Sequence, residues 1–408
     1  MKLGLIGKPL GHSFSREIHR FLIQEDYSYW ELEEDKLEEF LKKRDFDGIN
    51  VTIPYKKSVI PYLDEIDPAA KRIGAVNTIV HQEEKLKGYN TDYTGLMRMI
   101  QNHQMDLQGQ SVAILGSGGA SLAAIEAVNA LGGTPVRVSR TKKYASLSYD
   151  ELYEQGKEFT YLINATPVGM YPDVDEVPVD LDQLPNLRGV VDIIANPLRT
   201  KLVFTAEQKG IPACGGLEML VGQALSADEY FLNQRMEDSL IEDCLKELYR
   251  EKRNIVLIGM PSAGKSTVAQ LLSEKKQQEV IEMDACIEEE IGMSIRDYFA
   301  KSGEEAFRNK ESEMCARHRF DQGKIISCGG GVIKREENIR NLAYNGILIF
   351  IDRDVDKLFA SDSRPLSQSK SDVENLYQER YEFYERYCDV RIENNSELSR
   401  VIEEIEKL

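Results

Sequence analysis

Asn254-Ile255-Val256-Leu257-Ile258-Gly259-Met260-Pro261-Ser262-Ala263-Gly264-Lys265-Ser266-Thr267 reads as a buried strand that breaks into a glycine loop and then opens a helix. Gly259 to Ser266 satisfies every fixed position of the GxxxxGK[ST] pattern, in the strand–loop–helix setting that the pattern requires. Such a loop curls its backbone N–H groups around a β-phosphate, and the helix N-terminus adds its dipole. Lys265 is placed to reach the β- and γ-phosphates, and the Ser266 hydroxyl can ligate Mg²⁺. An accidental glycine turn would match some of these positions, not all of them in this context. Residues Ser262, Ala263, Gly264, Lys265, Ser266 and Thr267 are therefore expected to hold a nucleoside triphosphate, ATP or GTP.

Outward from this loop, apolar runs alternate with helical patterns along most of the chain. Lys2–Ile6, Gly48–Val51, Ser111–Leu115, Thr134–Val138, Tyr161–Asn164, Val190–Ile194, Ile255–Ile258, Lys324–Ser327 and Gly346–Ile351 read as buried strands. Gly119–Leu131, Leu217–Leu232 and Gly264–Lys276 read as helices between them. The alternation predicts an α/β protein with parallel sheets. A chain of 408 residues is long enough for two or three cores. The clearest boundary is the charged stretch Met236–Asn254, where a last helix runs into a fresh strand without a Gly/Ser linker. The expected division is 1–249, a junction at 250–253, and 254–408.

Composition narrows the partners. With 42% hydrophobic and 29% charged residues the chain is not a disordered one. No apolar run approaches the roughly 20 residues needed to cross a bilayer, and the start, Met1-Lys2-Leu3-Gly4-Leu5-Ile6-Gly7-Lys8-Pro9, is broken too early for a signal peptide. A soluble, cytoplasmic protein is expected. The net charge of −18 repels nucleic acid and anionic membranes, so neither is expected as a partner. Six scattered cysteines without a CxxC pair, and five histidines without an HxxxH spacing, give no metal signature and suggest reduced thiols.

What accepts the phosphate is read from the rest of the second half. Glu282-Met283-Asp284 ends a strand, Gly303-Glu304-Glu305-Ala306-Phe307-Arg308 starts a helix, Ser327-Cys328-Gly329-Gly330-Gly331 ends another strand, and Ser363-Arg364-Pro365-Leu366 lies in a polar loop. With these motifs, residues 254–408 resemble shikimate kinase, a P-loop NTPase-type parallel-sheet fold. The resemblance implies that Asp284 holds the diol of shikimate and is a candidate base. It implies that Arg308 and Arg380 bind the carboxylate, that Gly330 contacts substrate and that the lid residue Arg364 meets ATP. The bare chemistry agrees, since paired arginines suit a carboxylate and an acidic side chain suits a hydroxyl about to attack phosphorus. Two departures stand out. Glu282 replaces the first aspartate of a pair that holds Mg²⁺ through water, and Lys357, near a short lid at 360–372, stands near where an adenine-facing arginine is often found.

The first half has its own glycine turn. Leu115-Gly116-Ser117-Gly118-Gly119-Ala120 follows an apolar strand and opens a small-residue helix. Alone this turn is weak, because glycine turns are common at strand–helix junctions. The next strand sharpens the reading. It ends in Ser139-Arg140-Thr141-Lys142-Lys143, where an NAD site would carry an acid for the ribose hydroxyls. Cations there favour a 2′-phosphate, so NADP is expected over NAD, with Arg140 pairing to it.

Four polar clusters precede that turn: Gly7-Lys8-Pro9-Leu10-Gly11-His12-Ser13-Phe14-Ser15, Asn50-Val51-Thr52-Ile53-Pro54-Tyr55-Lys56, Gly74-Ala75-Val76-Asn77-Thr78 and Gly88-Tyr89-Asn90-Thr91-Asp92. Their hydroxyls, amides, one amine and one carboxylate suit a small polyhydroxy acid. Together with Gly215-Gly216-Leu217-Glu218-Met219-Leu220-Val221-Gly222-Gln223 they make residues 1–249 similar to shikimate dehydrogenase. The resemblance implies a two-lobed dehydrogenase, with a Rossmann-type NADP lobe at about 100–215 and a substrate lobe at about 1–99 and 216–249. By it, Lys56 and Asp92 are the catalytic pair and Ser13, Ser15, Thr52, Asn77 and Gln223 hold substrate. Gly116, Ser117, Gly118, Gly119, Ala120, Ser139, Arg140, Thr141, Ile193 and Gly216 are implied to meet the dinucleotide. A lysine beside a carboxylate can supply the proton that a ketone oxygen needs as hydride reaches its carbon. Asp92 is equally placed to cap the helix that follows. Ala195 replaces a tyrosine that the family usually carries near the substrate carboxylate, and Arg16 replaces a frequent proline.

The two resemblances name consecutive steps: reduction of 3-dehydroshikimate to shikimate with NADPH, then phosphorylation to shikimate 3-phosphate with ATP and Mg²⁺, on the route to chorismate and aromatic amino acids. A bifunctional enzyme is expected. The competing readings are a non-catalytic regulatory protein built from these folds, and a dehydrogenase that accepts quinate, which Ala195 keeps open. The regulatory reading predicts eroded catalytic positions, whereas Lys56, Asp92, Lys265, Ser266, Asp284 and Arg308 are all present.

Overall fold

The first unit, Met1–Glu247, opens with β1 (Leu3–Gly7), α1 (Ser15–Ile23), β2 (Tyr27–Glu31), α2 (Leu37–Lys43), β3 (Gly48–Val51), β4 (Glu65–Ile66), α3 (Pro68–Ile73), β5 (Thr78–Gln82) and β6 (Lys85–Tyr89). These strands form one sheet in the order β2-β1-β3-β5-β6-β4. The computed structural model describes residues 1–10, 14–141, 145–359, 366 and 369–408. Ser13, Lys142, Lys143 and Arg364 therefore lie outside the described residues. The sheet is mixed rather than wholly parallel, since β5 runs antiparallel to both β3 and β6. The reason is local. Glu83 and Glu84 both take positive φ, 50° and 63°, which makes the two-residue turn whose twist matches a hairpin. Ile6, Leu41, Phe46, Ile49, Val76 and Ile79 fill the core on one face.

From β6 the chain enters α4 (Asp92–Asn102) and then a second lobe: β7 (Ser111–Leu115), α5 (Gly119–Ala130), β8 (Thr134–Val138), α6 (Tyr149–Glu154), β9 (Tyr161–Asn164), β10 (Gly189–Asp192), α7 (Lys201–Gln208) and β11 (Ala213–Cys214). The five strands are parallel, in the order β11-β10-β9-β7-β8. The order reverses beside β7, so the Gly116–Gly119 turn leaves the sheet at its switch point, where open α/β sheets bind ligands. The chain returns along α8 (Gly216–Leu232) and ends the unit within α9 (Ser239–Lys252).

Helices α4 and α8 lie against each other because Gly95 and Gly222 face across the contact. A Cβ at Gly95 would sit 2.6 Å from both Met219 O and Gln223 N. Gly95→Ala is thus expected to force the helices apart, costing about 1–3 kcal/mol as overpacking usually does. Since Asp92 and Gln223 ride on these helices, it should also lower the activity of this unit, measured against the second unit's activity in the same chain.

The second unit, Leu248–Leu408, contains β12 (Asn254–Ile258), α10 (Lys265–Lys276), β13 (Val280–Glu282), α11 (Met283–Ile291), α12 (Ile295–Arg317), β14 (Ile325–Ser327), α13 (Glu336–Ala343), β15 (Gly346–Asp352), α14 (Lys370–Tyr387), β16 (Val390–Glu393) and α15 (Leu398–Glu406). Its sheet is parallel throughout, ordered β13-β14-β12-β15-β16, with the phosphate-loop strand β12 in the centre. Helix α12 breaks at Gly303, where φ is 84°, so a separate helical piece carries Arg308. All six cysteines are free, and Cys214, Cys244, Cys315 and Cys328 are buried. Among the described residues no helix is long and apolar enough to cross a membrane.

Candidate active sites

In the first unit, Lys56 Nζ donates to Asp92 Oδ2 at 2.6 Å. The other carboxylate oxygen, Oδ1, accepts from Asn77 Nδ2 at 3.0 Å, and the same amide nitrogen lies 3.3 Å from Gln223 Oε1. Asn77 cannot turn its amide around, because its Oδ1 already accepts the Thr91 backbone N–H at 2.6 Å. Asp92 is the first residue of α4 and not its cap, a position that Thr91 takes, and its own N–H donates to Asn90 Oδ1 at 3.1 Å. Four of the residues expected from the sequence therefore form one hydrogen-bonded cluster drawn from α4, α8, the loop after β3 and the segment before β5. Thr52 lies at the carboxyl end of β3, its N–H donating to Ile6 O of β1 at 2.9 Å. The loop carrying Lys56 is anchored by the Tyr55 hydroxyl on Leu32 O at 2.6 Å. Ser15 opens α1, and Arg16 beside it lays its guanidinium over the Tyr29 ring, 4.3 Å from the centroid.

The dinucleotide turn is built for close approach. Gly116 has φ of 119°, and a Cβ there would meet Ala165 O at 2.8 Å, so no other residue fits. At Gly118 and Gly119 a Cβ would meet nothing within 4 Å, and the N-cap Gly118 offers no side-chain cap. The first N–H groups of α5 are left for an anion. Ser117 is exposed and Ala120 half-buried at the same turn. Arg137, which the sequence reading passed over as an ordinary strand residue, donates through Nε to Gly116 O at 3.1 Å and fastens the turn. Ser139 is buried at the end of β8, with Arg140 and Thr141 exposed beyond it. Across the lobe, Gly216 N donates to Ile194 O at 2.9 Å, and a Cβ on Gly216 would lie 2.1 Å from Ile193 O. Ile193 and Gly216 therefore pack backbone to backbone. Beneath them Asp192 is buried among Asn164, Thr200 and the Ile194 N–H, and burial pushes its carboxyl up to about 6 against those three donors.

In the second unit a cavity of about 550 Å³ runs from the phosphate loop to Asp284, Arg308 and Arg380. Gly264 takes φ of 96° at the head of α10, and Lys265, only 8% exposed, donates to Gly259 O at 2.9 Å and Met260 O at 3.0 Å. Ala263 O accepts from Asn394 Nδ2 at 2.7 Å, while Ser262, at φ of 67°, donates to Phe359 O at 2.8 Å. Ser266 Oγ donates to Glu282 Oε2 at 3.0 Å, and Thr267 follows it, exposed on α10. A hydroxyl and a carboxylate side by side are hard oxygen donors, which fit Mg²⁺ once phosphate oxygens complete its shell.

The acceptor end is a knot of opposite charges. Arg308 is buried between Glu311, at 2.8 Å, and Glu304, at 3.1 Å. Burial pushes the Glu311 carboxyl up, against the pull of Arg308. Arg380, 2% exposed, gives one N–H to Gly330 O at 2.8 Å, and the Tyr384 hydroxyl donates to the same carbonyl at 2.5 Å. Arg380 Nε and its other terminal nitrogen are buried without a hydrogen-bond partner among the described residues. A buried guanidinium with idle donors calls for an anion, and a carboxylate matches its fork. Gly329 leaves room for two acids, since a Cβ there would lie 2.6 Å from Asp284 Oδ1 and 3.2 Å from Glu311 Oε1. Glu311 and Tyr384 were absent from the sequence reading, although their spacing from Arg308 and Arg380, one helical turn on, was a usable signal.

A nucleotide-loop kinase beside a two-lobed dinucleotide enzyme is the class that these sites define, and comparison with known proteins agrees. The model for the shikimate dehydrogenase substrate binding domain matches residues 5–79, and the shikimate kinase model matches residues 261–408. The chain is 40% identical over 255 residues to a shikimate dehydrogenase (NADP(+)) of Clostridium beijerinckii, covering 59% of this chain and 94% of that one. A counterpart from Clostridium perfringens is 39% identical over 268 residues, covering 61% and 98%. Among solved structures, a chorismate mutase/shikimate 5-dehydrogenase fusion protein of Clostridium acetobutylicum superposes with a TM-score of 0.57 at 34% identity, over 60% of this chain and 96% of that one. The Thermus thermophilus shikimate 5-dehydrogenase in complex with NADP(H) and shikimate gives 0.55 at 30% identity, over 60% and 99%. The chain belongs to the shikimate dehydrogenase family and carries a shikimate kinase domain in its second half.

Proposed function

We propose that this chain performs two consecutive reactions of the shikimate pathway, with residues 1–249 reducing 3-dehydroshikimate to shikimate and residues 254–408 phosphorylating the 3-hydroxyl of shikimate. The observation that carries the reading is the pairing, in one chain, of the Lys56–Asp92 cluster with a phosphate loop whose cavity ends at Asp284 and the idle donors of Arg380.

In the first reaction NADPH, when bound at the Gly116–Gly119 turn, supplies the hydride. Lys56 delivers the proton to the ketone oxygen, held in place by its contact with Asp92. Asn77 and Gln223 present amides to the ring hydroxyls, and Ser13, Ser15 and Thr52 add hydroxyls toward the carboxylate. Ala195 cannot make the bond a tyrosine hydroxyl would give, which is worth on the order of 1 kcal/mol.

In the second reaction Arg380 and Arg308 grip the shikimate carboxylate and Gly330 lines its face. Asp284 accepts the proton of the attacking hydroxyl, while Lys265 balances charge building on the transferred phosphoryl group. Ser266 and Glu282 would hold Mg²⁺, which would supply positive charge against the phosphates. Arg364 completes the ATP contacts in this reading.

The direct test supplies purified full-length protein with 3-dehydroshikimate, NADPH and ATP-Mg, following NADPH oxidation and ADP release separately. Both signals are expected, the second dependent on the first when no shikimate is added. Failure of either removes that half of the proposal. NADPH preference has its own test. Arg140→Ala should raise the KM for NADPH about tenfold, as loss of a charge-assisted contact does, with little change for NADH. Equal losses for both dinucleotides would remove this role from Arg140.

A further inference from the structure

Arg353 stands one residue past the carboxyl end of β15, the strand that pairs with the phosphate-loop strand β12. It lines the same cavity as Lys265 and Ser266, and one terminal nitrogen of its guanidinium comes 4.0 Å from where a Cβ on Gly264 would sit. The guanidinium therefore lies on the outer side of the loop, just where the loop becomes α10.

Its chain neighbours are pinned. Asp352 O accepts the Asn394 N–H at 2.7 Å, and the Asp352 carboxylate takes Arg391 at 2.7 Å. Asp354 N donates to Asn395 Oδ1 at 2.9 Å, and Asn395 Nδ2 returns a bond to Asp354 Oδ1 at 2.8 Å. Lys357 Nζ is occupied by Asn395 O at 3.1 Å and Asp354 Oδ2 at 3.2 Å. The nearby acids, Asp352, Asp354 and Glu393, thus have other partners, with Glu393 on Arg391 at 3.8 Å.

Arg353 is left over. Among the described residues it makes no ion pair, and its half-buried side chain keeps Nε buried without an acceptor. In a chain with 69 acidic residues against 51 basic ones, a half-buried guanidinium unpaired beside a phosphate cradle lacks its anion. We propose that Arg353 is a further nucleotide-binding residue of the kinase site, donating to the bound nucleoside triphosphate from outside the loop while Lys265 acts from within. The inference rests on the kinase reading above and adds a residue to it.

The experiment uses the full chain. Arg353→Ala should raise both the KM and the calorimetric Kd for ATP about tenfold, as expected for loss of a charge-assisted bond. The KM for shikimate and NADPH-dependent reduction should not change, and Arg353→Lys should recover part of the loss. Inorganic tripolyphosphate, used as a competitor, locates the contact. If its inhibition weakens in step with ATP the guanidinium meets phosphate, and if only ATP weakens it meets the adenosine; either result supports the proposal. An ATP KM and Kd within about twofold of the parent, or a rise confined to shikimate, would overturn it. If the parent protein binds ATP but phosphorylates no shikimate, the kinase reading fails instead, and the calorimetric comparison still judges Arg353.

Discussion

Lys56→Ala should lower the reduction of 3-dehydroshikimate by on the order of 10²–10⁴-fold, the usual weight of a positioned acid–base group, and leave kinase turnover unchanged. The expected loss is in kcat more than in KM. In the proposed mechanism Lys56 is the residue of its cluster that carries the proton, whereas Asn77 and Gln223 remain to hold the ring. Asp92 would also lose its partner cation at 2.6 Å. Parallel progress curves for NADPH oxidation and ADP release from added shikimate decide the matter. If the substitution silenced both reactions in a folded protein, the assignment of two separate sites would be wrong.

Lys265→Ala should do the reverse, lowering phosphoryl transfer on the order of 10²-fold or more while reduction proceeds as before. The residue is buried, and its ammonium also ties together the carbonyls of Gly259 and Met260, so part of the effect could come from a loosened loop. Calorimetric binding of shikimate separates the two causes. Retained shikimate affinity with lost turnover places the defect in charge stabilisation at the phosphates. Loss of both would show that the alanine variant disturbs the unit as a whole, and Lys265→Arg, which keeps a cation on the loop, would then be the variant to compare.

The central strands were legible because each is a short apolar run buried on both faces. Ser111–Leu115, Asn254–Ile258 and Gly346–Asp352 are of this kind. Several edge strands escaped the reading for the opposite reason. Tyr27–Glu31 and Val390–Glu393 bury one residue each, and Glu65–Ile66 is only two residues long. The hairpin of β5 and β6 was hidden by its turn, since Glu83-Glu84 carries none of the Asn or Gly that usually announces positive φ. At the sites, Lys56, Asp92, Asn77 and Gln223 were readable through motif order and do meet in space. Arg137 and Arg353 were not, because nothing local distinguishes them. Their roles come from what the fold sets opposite them, the Gly116 carbonyl in one case and the Gly264 backbone in the other.

The crossing of α4 and α8 has a mechanical consequence. The chain leaves the sheet of β1–β6 along α4 and comes back from the sheet of β7–β11 along α8, so both passages between lobes run through one packed helix pair. Any change in the angle between the lobes must use that pair as its fulcrum. Groups at a fulcrum hardly travel, whereas those far from it sweep the widest arcs. Asp92 heads α4 and Gln223 lies where Gly95 meets α8, and Lys56 and Asn77 are bonded to Asp92. The cluster proposed to deliver the proton would therefore be displaced least by such a change. The dinucleotide turn after β7 is the part that would swing, carrying a bound hydride donor toward the proposed acceptor site.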